Sequence, residues 1–283
     1  MKSLTFALLF AFAGTSSAAP LAGPGAGPAD LRLTGTMIQG GVVAGTAPAD
    51  TVSLRLGDAV VPIDADGRFL IAFDRDAAPT ARLTAELANG RTIEKSLTIA
   101  PRAWRIERIN APMRPSSSTA AFLALRKPEL AQIAAARALH THAQGWRQRF
   151  IWPAMGRISG LFGAQRVYQG QPGAYHGGVD VAGATGTPVV APAEGVVILA
   201  AAAKPFTLEG HLLMIDHGHG LNSAFLHLSR IDVKLGDTVT QGQRIGAIGA
   251  TGRATGPHLH WGMKWNAARI DPLLIAGPMP QGR

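Results

Sequence analysis

The chain has 283 residues, 47% of them hydrophobic and only 16% charged, which excludes an intrinsically disordered protein and leaves room for two globular domains. It has no cysteine, so disulfide scaffolds, thiolate metal sites, cysteine nucleophiles and a lipid-bearing cysteine are all excluded. The formal charge of +9 is spread along the chain with no long Lys/Arg block, a pattern that argues against a nucleic-acid-binding protein and favours loose attraction to wall polymers or anionic headgroups.

The amino terminus begins with Lys2, continues as an apolar run from Leu4 to Ala13 and ends in small residues, Thr15 to Ala19. That order is the pattern of a secretory signal peptide over residues 1–19. The apolar run is too short for a membrane span, which needs about 20 residues. The expectation is export, to the periplasm, without stable membrane insertion. Leu21 to Asp30 is an Ala/Gly/Pro lead-in.

From residue 31 to 112 short β-type runs alternate with turn residues. The predicted strands are Thr34–Val43, Thr51–Leu56, Val60–Ile63, Phe69–Phe73, Ala81–Leu87, Thr92–Ile99 and Trp104–Ile109, with Asp66-Gly67 and Asn89-Gly90 as hairpin dipeptides. This reads as a small β-sandwich-like leader domain, and it holds no histidine. After a Pro/Ser-rich joint at 112–118, residues 119–149 read as a helical linker. Pro128 suits the first turn of its helix and Gly145 its stop, and His140 and His142 are solvated residues near its end.

Residues 150–276 change to glycine-punctuated short strands and hold seven of the nine histidines. The fold class is therefore mainly β, with an antiparallel sheet in this second domain. In Tyr175-His176-Gly177-Gly178-Val179-Asp180, an extended backbone sends His176 and Asp180 to the same side. In Pro257-His258-Leu259-His260-Trp261, the same alternation sets His258 and His260 on one face and Leu259 and Trp261 on the other. Two histidines on one strand face are costly to bury without a partner, and together these four groups supply up to four polar ends converging on a point. A rival His-x-His, Asp216-His217-Gly218-His219-Gly220, reads as a hairpin turn with loosely held side chains. His211 starts another strand, and His227 lies in an apolar strand on the same face as Phe225.

In order and spacing, the motifs from Phe162-Gly163 and Arg166, through His176 to Val181, Gly186 to Gly195, Asp216 to Gly220, His227-Leu228-Ser229, Gly236-Asp237 and Gly242-Gln243, to Gly256-Pro257-His258-Leu259-His260, closely resemble the lysostaphin-type (LytM-like) zinc endopeptidases. The resemblance implies one Zn2+ bound by His176, Asp180 and His260, with His258 and His227 as the catalytic pair and His217 as a structural residue. It implies hydrolysis of peptide cross-links in bacterial peptidoglycan, with peptide stems as partners and room for a regulatory protein. Some relatives steady the oxyanion with a tyrosine, so Tyr168, Tyr175 and Arg166 are the candidates for substrate or oxyanion contacts here, and Phe225 stands where relatives often have tyrosine. The leader and helix look like those of exported Gram-negative endopeptidases. Two rivals are weighed. A biotinyl- or lipoyl-type carrier, suggested by Gly236 to Gly246, lacks a modifiable lysine between Ala247 and Pro257. A catalytically silent relative that binds and activates a wall amidase would have lost ligands that are all present here.

Overall fold

The computed structural model describes residues 29–113 and 119–280. The expected signal peptide at 1–19, lead-in residues 21–28 and the Pro/Ser run at 114–118 lie outside the described residues. Among the described helices, none is long and apolar enough to cross a membrane.

Eight strands come first: β1 (Arg32–Thr34), β2 (Val42–Thr46), β3 (Thr51–Leu56), β4 (Ala59–Val60), β5 (Arg68–Ala72), β6 (Thr80–Leu87), β7 (Thr92–Thr98) and β8 (Ile106–Ile109). The first seven form one sheet ordered β1-β2-β5 and a second ordered β4-β3-β6-β7. Val43, Leu54, Phe69, Ile71, Leu83 and Leu97 are buried between them. Asn89-Gly90 closes the β6–β7 hairpin, Gly90 taking a φ of 81°. Asp66-Gly67 is also a turn, but β4 and β5 belong to different sheets, so it connects sheets instead of closing a hairpin. The expected strand Thr34–Val43 is broken between β1 and β2, where Gly35 and Gly40 adopt positive φ and interrupt the extended run. The predicted strand at Trp104–Ile109 forms as β8, but it pairs in parallel with residues 165–168 of the second domain.

The helix α1 (Ala120–Arg137) starts eight residues before Pro128, contrary to the sequence expectation. Thr119 caps it, its Oγ1 accepting from the Phe122 N–H at 3.1 Å. Pro128 sits inside, at an exposed position one turn after exposed Ala124, so the carbonyl it leaves unpaired faces water. The helix ends at Ala138, and Gly145 opens a short 3-10 turn in place of stopping the helix. Ile133 and Ala136 pack on Ile198, Leu212, Met214 and Ala224, anchoring α1 on the sheet of the second domain.

That domain contains β9 (Ile158–Gly160), β10 (Gln165–Tyr168), β11 (Gln171–Pro172), β12 (Gly178–Ala182), β13 (Pro188–Val190), β14 (Gly195–Ala200), β15 (His211–Asp216), β16 (Leu221–Leu228), β17 (Arg230–Ile231), β18 (Thr238–Val239), β19 (Arg244–Ala247), β20 (His258–Trp265), β21 (Ala268–Ile270) and the short helix α2 (Pro272–Ala276). Its main sheet is antiparallel, ordered β18-β14-β15-β16-β20-β12-β9 with β21 added beside β20. Burial alternates along β20: Leu259, Trp261, Met263 and Trp265 face the core, while His258, His260, Gly262 and Lys264 line the opposite face. Val179, Val181, Leu213, Ile215 and Phe225 complete the core layer.

The two lobes share one continuous core. Polar clamps reinforce it. Arg147 holds Asp64 and Asp66, and the Nε2 of His219 meets Asp64 at 3.0 Å. Arg102 pairs with buried Asp271 at 2.8 Å. Arg75, only 6% exposed, donates to the Gly163 carbonyl and lies over the Tyr175 ring.

Candidate metal centre

Strand register sets the first two groups. Asp180 on β12 lies directly opposite His260 on β20, and Ala182 opposite His258. His176 precedes β12 and reaches the same point by a bend through Gly177-Gly178. A Cβ at Gly178 would come within 2.4 Å of the Trp261 carbonyl and 2.8 Å of His260 Nε2, so only glycine fits that approach. The turn at 161–164 fixes His176: its N–H donates to the Ala164 carbonyl (2.8 Å) and its carbonyl accepts from Gly163 N–H (2.9 Å).

The three groups converge. Asp180 Oδ1 is 3.1 Å from His176 Nε2 and 2.9 Å from His260 Nδ1, and the two nitrogens are 3.0 Å apart. One donor atom from each residue lies within 4.8 Å of the other two. His176 spends its Nδ1–H on the Leu161 carbonyl at 3.1 Å, which leaves a lone pair on Nε2. Two imidazole nitrogens and a carboxylate oxygen crowded this closely are a natural set for a divalent cation, and a nitrogen, nitrogen, oxygen donor set suits zinc. Three protein donors leave a position for a reactant, as catalytic zinc sites require.

The electrostatics agree with this fit. Burial raises the Asp180 carboxyl, but its bonds to His176 and His260 outweigh that and hold it well below the usual carboxylate range. Burial lowers His176, yet Asp180 brings it above the ordinary histidine value. His260 ends below that value, because burial exceeds the help it receives from Asp180.

His258 and His227 flank the trio. The His258 Nδ1–H donates to the Gly256 carbonyl at 2.8 Å, and its Nε2 is 3.8 Å from Asp180 Oδ1. The His227 Nδ1–H donates to the Thr251 carbonyl at 2.9 Å, and the two rings are 4.8 Å apart. Both imidazoles therefore keep an Nε2 lone pair, and burial lowers His227 further toward its neutral form. The expectation that His227 shares a face with Phe225 fails. His227 has a φ of 64°, which breaks the alternation. Phe225 packs in the core opposite Trp261, while Leu226, paired with His260, and His227 both reach the site cavity. A left-handed histidine in a strand is a strained conformation, of the kind that concentrates at functional sites.

The surrounding cavity is about 410 Å³ and is walled by these five residues together with Glu209 and Arg253. A larger depression of about 730 Å³ on the leader domain has no histidine in its wall, and its Asp64 and Asp66 are already held by Arg147.

Other expected residues lie elsewhere. Tyr175 bonds through its hydroxyl to Asp74 and Arg269, both at 3.3 Å, and Arg166 pairs with Glu107 at 2.9 Å. Tyr168 is on β10 beside β8, and none of the three lines the site cavity. The rival His-x-His is indeed the β15–β16 turn, but its histidines are held firmly. His217 is fully buried between the Glu194 carbonyl (2.7 Å) and Ser223 Oγ (2.8 Å), and His219 stacks on Trp146. The groups that orient the imidazoles, the carbonyls of Leu161, Thr251 and Gly256, went unforeseen, since main-chain atoms carry no residue signature.

The family model described as Peptidase family M23 matches residues 174–272. The peptidoglycan DD-endopeptidase ShyA of Vibrio cholerae is 41% identical over 133 residues, which are 47% of this chain and 30% of ShyA. The DD-carboxypeptidase/endopeptidase Mpg of Neisseria meningitidis is 38% identical over 106 residues, 38% of this chain and 24% of Mpg. The chain thus spans less than a third of the length of these curated relatives. A Pseudomonas aeruginosa crystal structure ascribed to peptidase M23 superposes with a TM-score of 0.64 at 29% identity, covering 86% of this chain and 96% of that one, so the likeness extends through the leader. The donor trio and both flanking histidines fall inside the matched stretch, so residues 174–272 form a peptidase family M23 domain that carries the whole candidate centre.

Proposed function

We propose that the protein is an exported zinc metalloendopeptidase that hydrolyses peptide cross-links of bacterial peptidoglycan, with His176, Asp180 and His260 as the metal ligands. One observation carries the reading: three metal-donor atoms meet beside two imidazoles, His227 and His258, whose Nδ1 sides are spent on backbone carbonyls and whose Nε2 sides are left to the site. When bound, zinc supplies Lewis acidity to the scissile carbonyl and lowers the pKa of water from about 15.7 toward about 7. His258 and His227 accept the proton of the attacking water and return it to the leaving amine, each held in the required tautomer by a backbone carbonyl. The substrate class draws on the relatives named as peptidoglycan endopeptidases, and export draws on the amino-terminal segment.

Zinc content and the release of cross-linked peptides from purified peptidoglycan, measured on the full mature chain, test the reading together. Stimulation of a wall amidase by zinc-loaded protein that leaves cross-links intact would replace it with the silent-relative alternative. The complete set of five groups argues against that outcome.

A further inference from the structure

Between α1 and the face of the main sheet lies a second cavity, of about 260 Å³, which shares His260, Leu226 and Glu209 with the cavity of the candidate metal centre. Arg126, Leu130, Ile133 and Arg137 all line it, at the i, i+4, i+7 and i+11 spacing of one helix face. Lys264 enters from the same face of β20 as His258 and His260. Arg269 lies across Gly177, the residue after His176, with its Cδ and Nε 3.4 and 3.5 Å from where a Gly177 Cβ would be.

Four cations thus meet a single wall carboxylate, Glu209, and Arg126 already holds that carboxylate at 2.5 and 2.6 Å. Among the described residues no carboxylate is within salt-bridge distance of the side chains of Arg137, Lys264 or Arg269. The nearby Asp74 carboxylate is engaged by the Arg269 backbone N–H and the Tyr175 hydroxyl. Arg137 buries its Nε with no hydrogen-bond partner. Burial, and then the charges of Arg137 and Arg269, push Lys264 down to about 8. Half-buried Arg137 and Lys264 share the hollow with exposed Arg269, whose guanidinium also donates to the Tyr175 hydroxyl, and these like charges repel one another and leave donors unsatisfied unless an anion completes the set.

We infer that this cavity is a specificity pocket for a carboxylate of the substrate peptide, placed beside the scissile bond. The inference rests on the proposed peptidase reading for its substrate. The shared wall with the metal centre puts the anion on the same peptide that is cut. Leu130, Ile133, Leu212 and Met214 offer apolar walls to the aliphatic arm bearing the carboxylate, and the volume suits an amino-acid side chain or chain end better than a sugar. Peptide stems carry such a carboxylate either at the chain end or on a branching diamino acid. The linker helix thereby becomes part of the binding site.

The test uses the full, zinc-loaded chain and defined cross-linked stem peptides in three forms: free, amidated at the chain end, and amidated on the diamino acid. Charge-assisted bonding predicts that one of the two amidations raises KM by about ten- to hundredfold, and which one it is identifies the source of the carboxylate. In Lys264→Gln and Arg269→Gln the ratio between free and amidated substrates falls toward one while zinc content holds, and Arg137→Gln adds a variant on the helix side. Equal treatment of all three substrates by the wild type, or an unchanged ratio in the Lys264 and Arg269 variants, overturns the pocket. Calorimetric binding of an uncross-linked stem tetrapeptide, free and amidated, separates the two ideas. A preference for the free form without any hydrolysis sinks the peptidase reading and keeps the pocket, whereas binding inorganic phosphate as tightly as the stem overturns the peptide assignment.

Discussion

Gly160→Ala should damage the metal centre without touching any of its donors. Gly160 on β9 pairs with Asp180, and a Cβ there would lie 2.3 Å from Asp180 Oδ2, 2.9 Å from Cγ and 3.1 Å from Cβ. The Gly160 φ is one that alanine adopts freely, so the backbone itself is not strained. To restore a contact of 3.0 to 3.4 Å the carboxylate must retreat by about 0.7 to 1.1 Å. Ligand positions tolerate only about 0.2 Å before affinity falls. The carboxylate is the free end of a side chain and can swing, so the loss concentrates in metal binding, at about 10- to 100-fold. The cost in stability stays at the low end of overpacking, about 1 kcal/mol. Competition against a chromophoric chelator gives the zinc affinity, and the thermal midpoint of the chelator-treated protein gives the stability. Affinity within twofold of wild type would refute the placement of Asp180 as a ligand held from behind by β9.

Four further outcomes follow from the same geometry. His260→Ala should lose zinc and activity together, whereas His258→Ala should retain most of its zinc and lose activity by about 100-fold or more, and equal zinc loss in both would show the ligand assignment to be wrong. His227→Gly and His227→Ala should both be inactive with zinc retained, and the glycine variant should be more stable by about 1 kcal/mol because it relieves the left-handed φ, as urea denaturation would show. Removing metal with a chelator should lower the thermal midpoint and zinc should restore it, the midpoint rising with the logarithm of free zinc concentration. His217 is held neutral with its pKa pushed down to about 4 by burial, so the unfolded chain binds the extra proton between the ordinary value of 6.5 and 4. Stability is full above about pH 6.5 and drains away toward pH 4, by up to about 3 kcal/mol, and a His217→Gln variant should flatten that part of a thermal-midpoint titration.

The sequence made the centre readable where spacing translates directly into geometry. His258 and His260 alternate with Leu259 and Trp261 on a regular strand, so period two was enough to place them on one face. His176 and Asp180 also met, with Gly177-Gly178 between them supplying the bend that glycines allow. His227 could not be placed by alternation, because one positive φ reverses the rule and nothing in Leu226-His227-Leu228 announces it. The turn histidines looked loose for a similar reason: the partners of His217 and His219, at residues 64, 146, 194 and 223, are brought in by tertiary structure. Pro128 was read as a starting signal, while the true start is Thr119 and the exposed side of α1 tolerates the proline. The basic cavity was invisible, since its cations sit at positions 126, 137, 264 and 269 and meet only when the helix lies on the sheet.

The parallel pairing of β8 with β10 limits how the molecule can be divided. The hydrogen bonds from Gln165 to Tyr168 and from Ile106 to Ile109 cross the apparent domain joint, and β11 adds to the other side of β10. A gene truncation placed in the Pro/Ser segment would strip β10 of one neighbour and open a strand edge, leaving a template for self-association a short way before His176. Fragments for crystallisation or enzyme engineering should therefore begin upstream of Trp104. The two lobes share a seam as well as a linker, and recombination that swaps leaders between relatives has to carry the Ile106–Ile109 strand with the second domain.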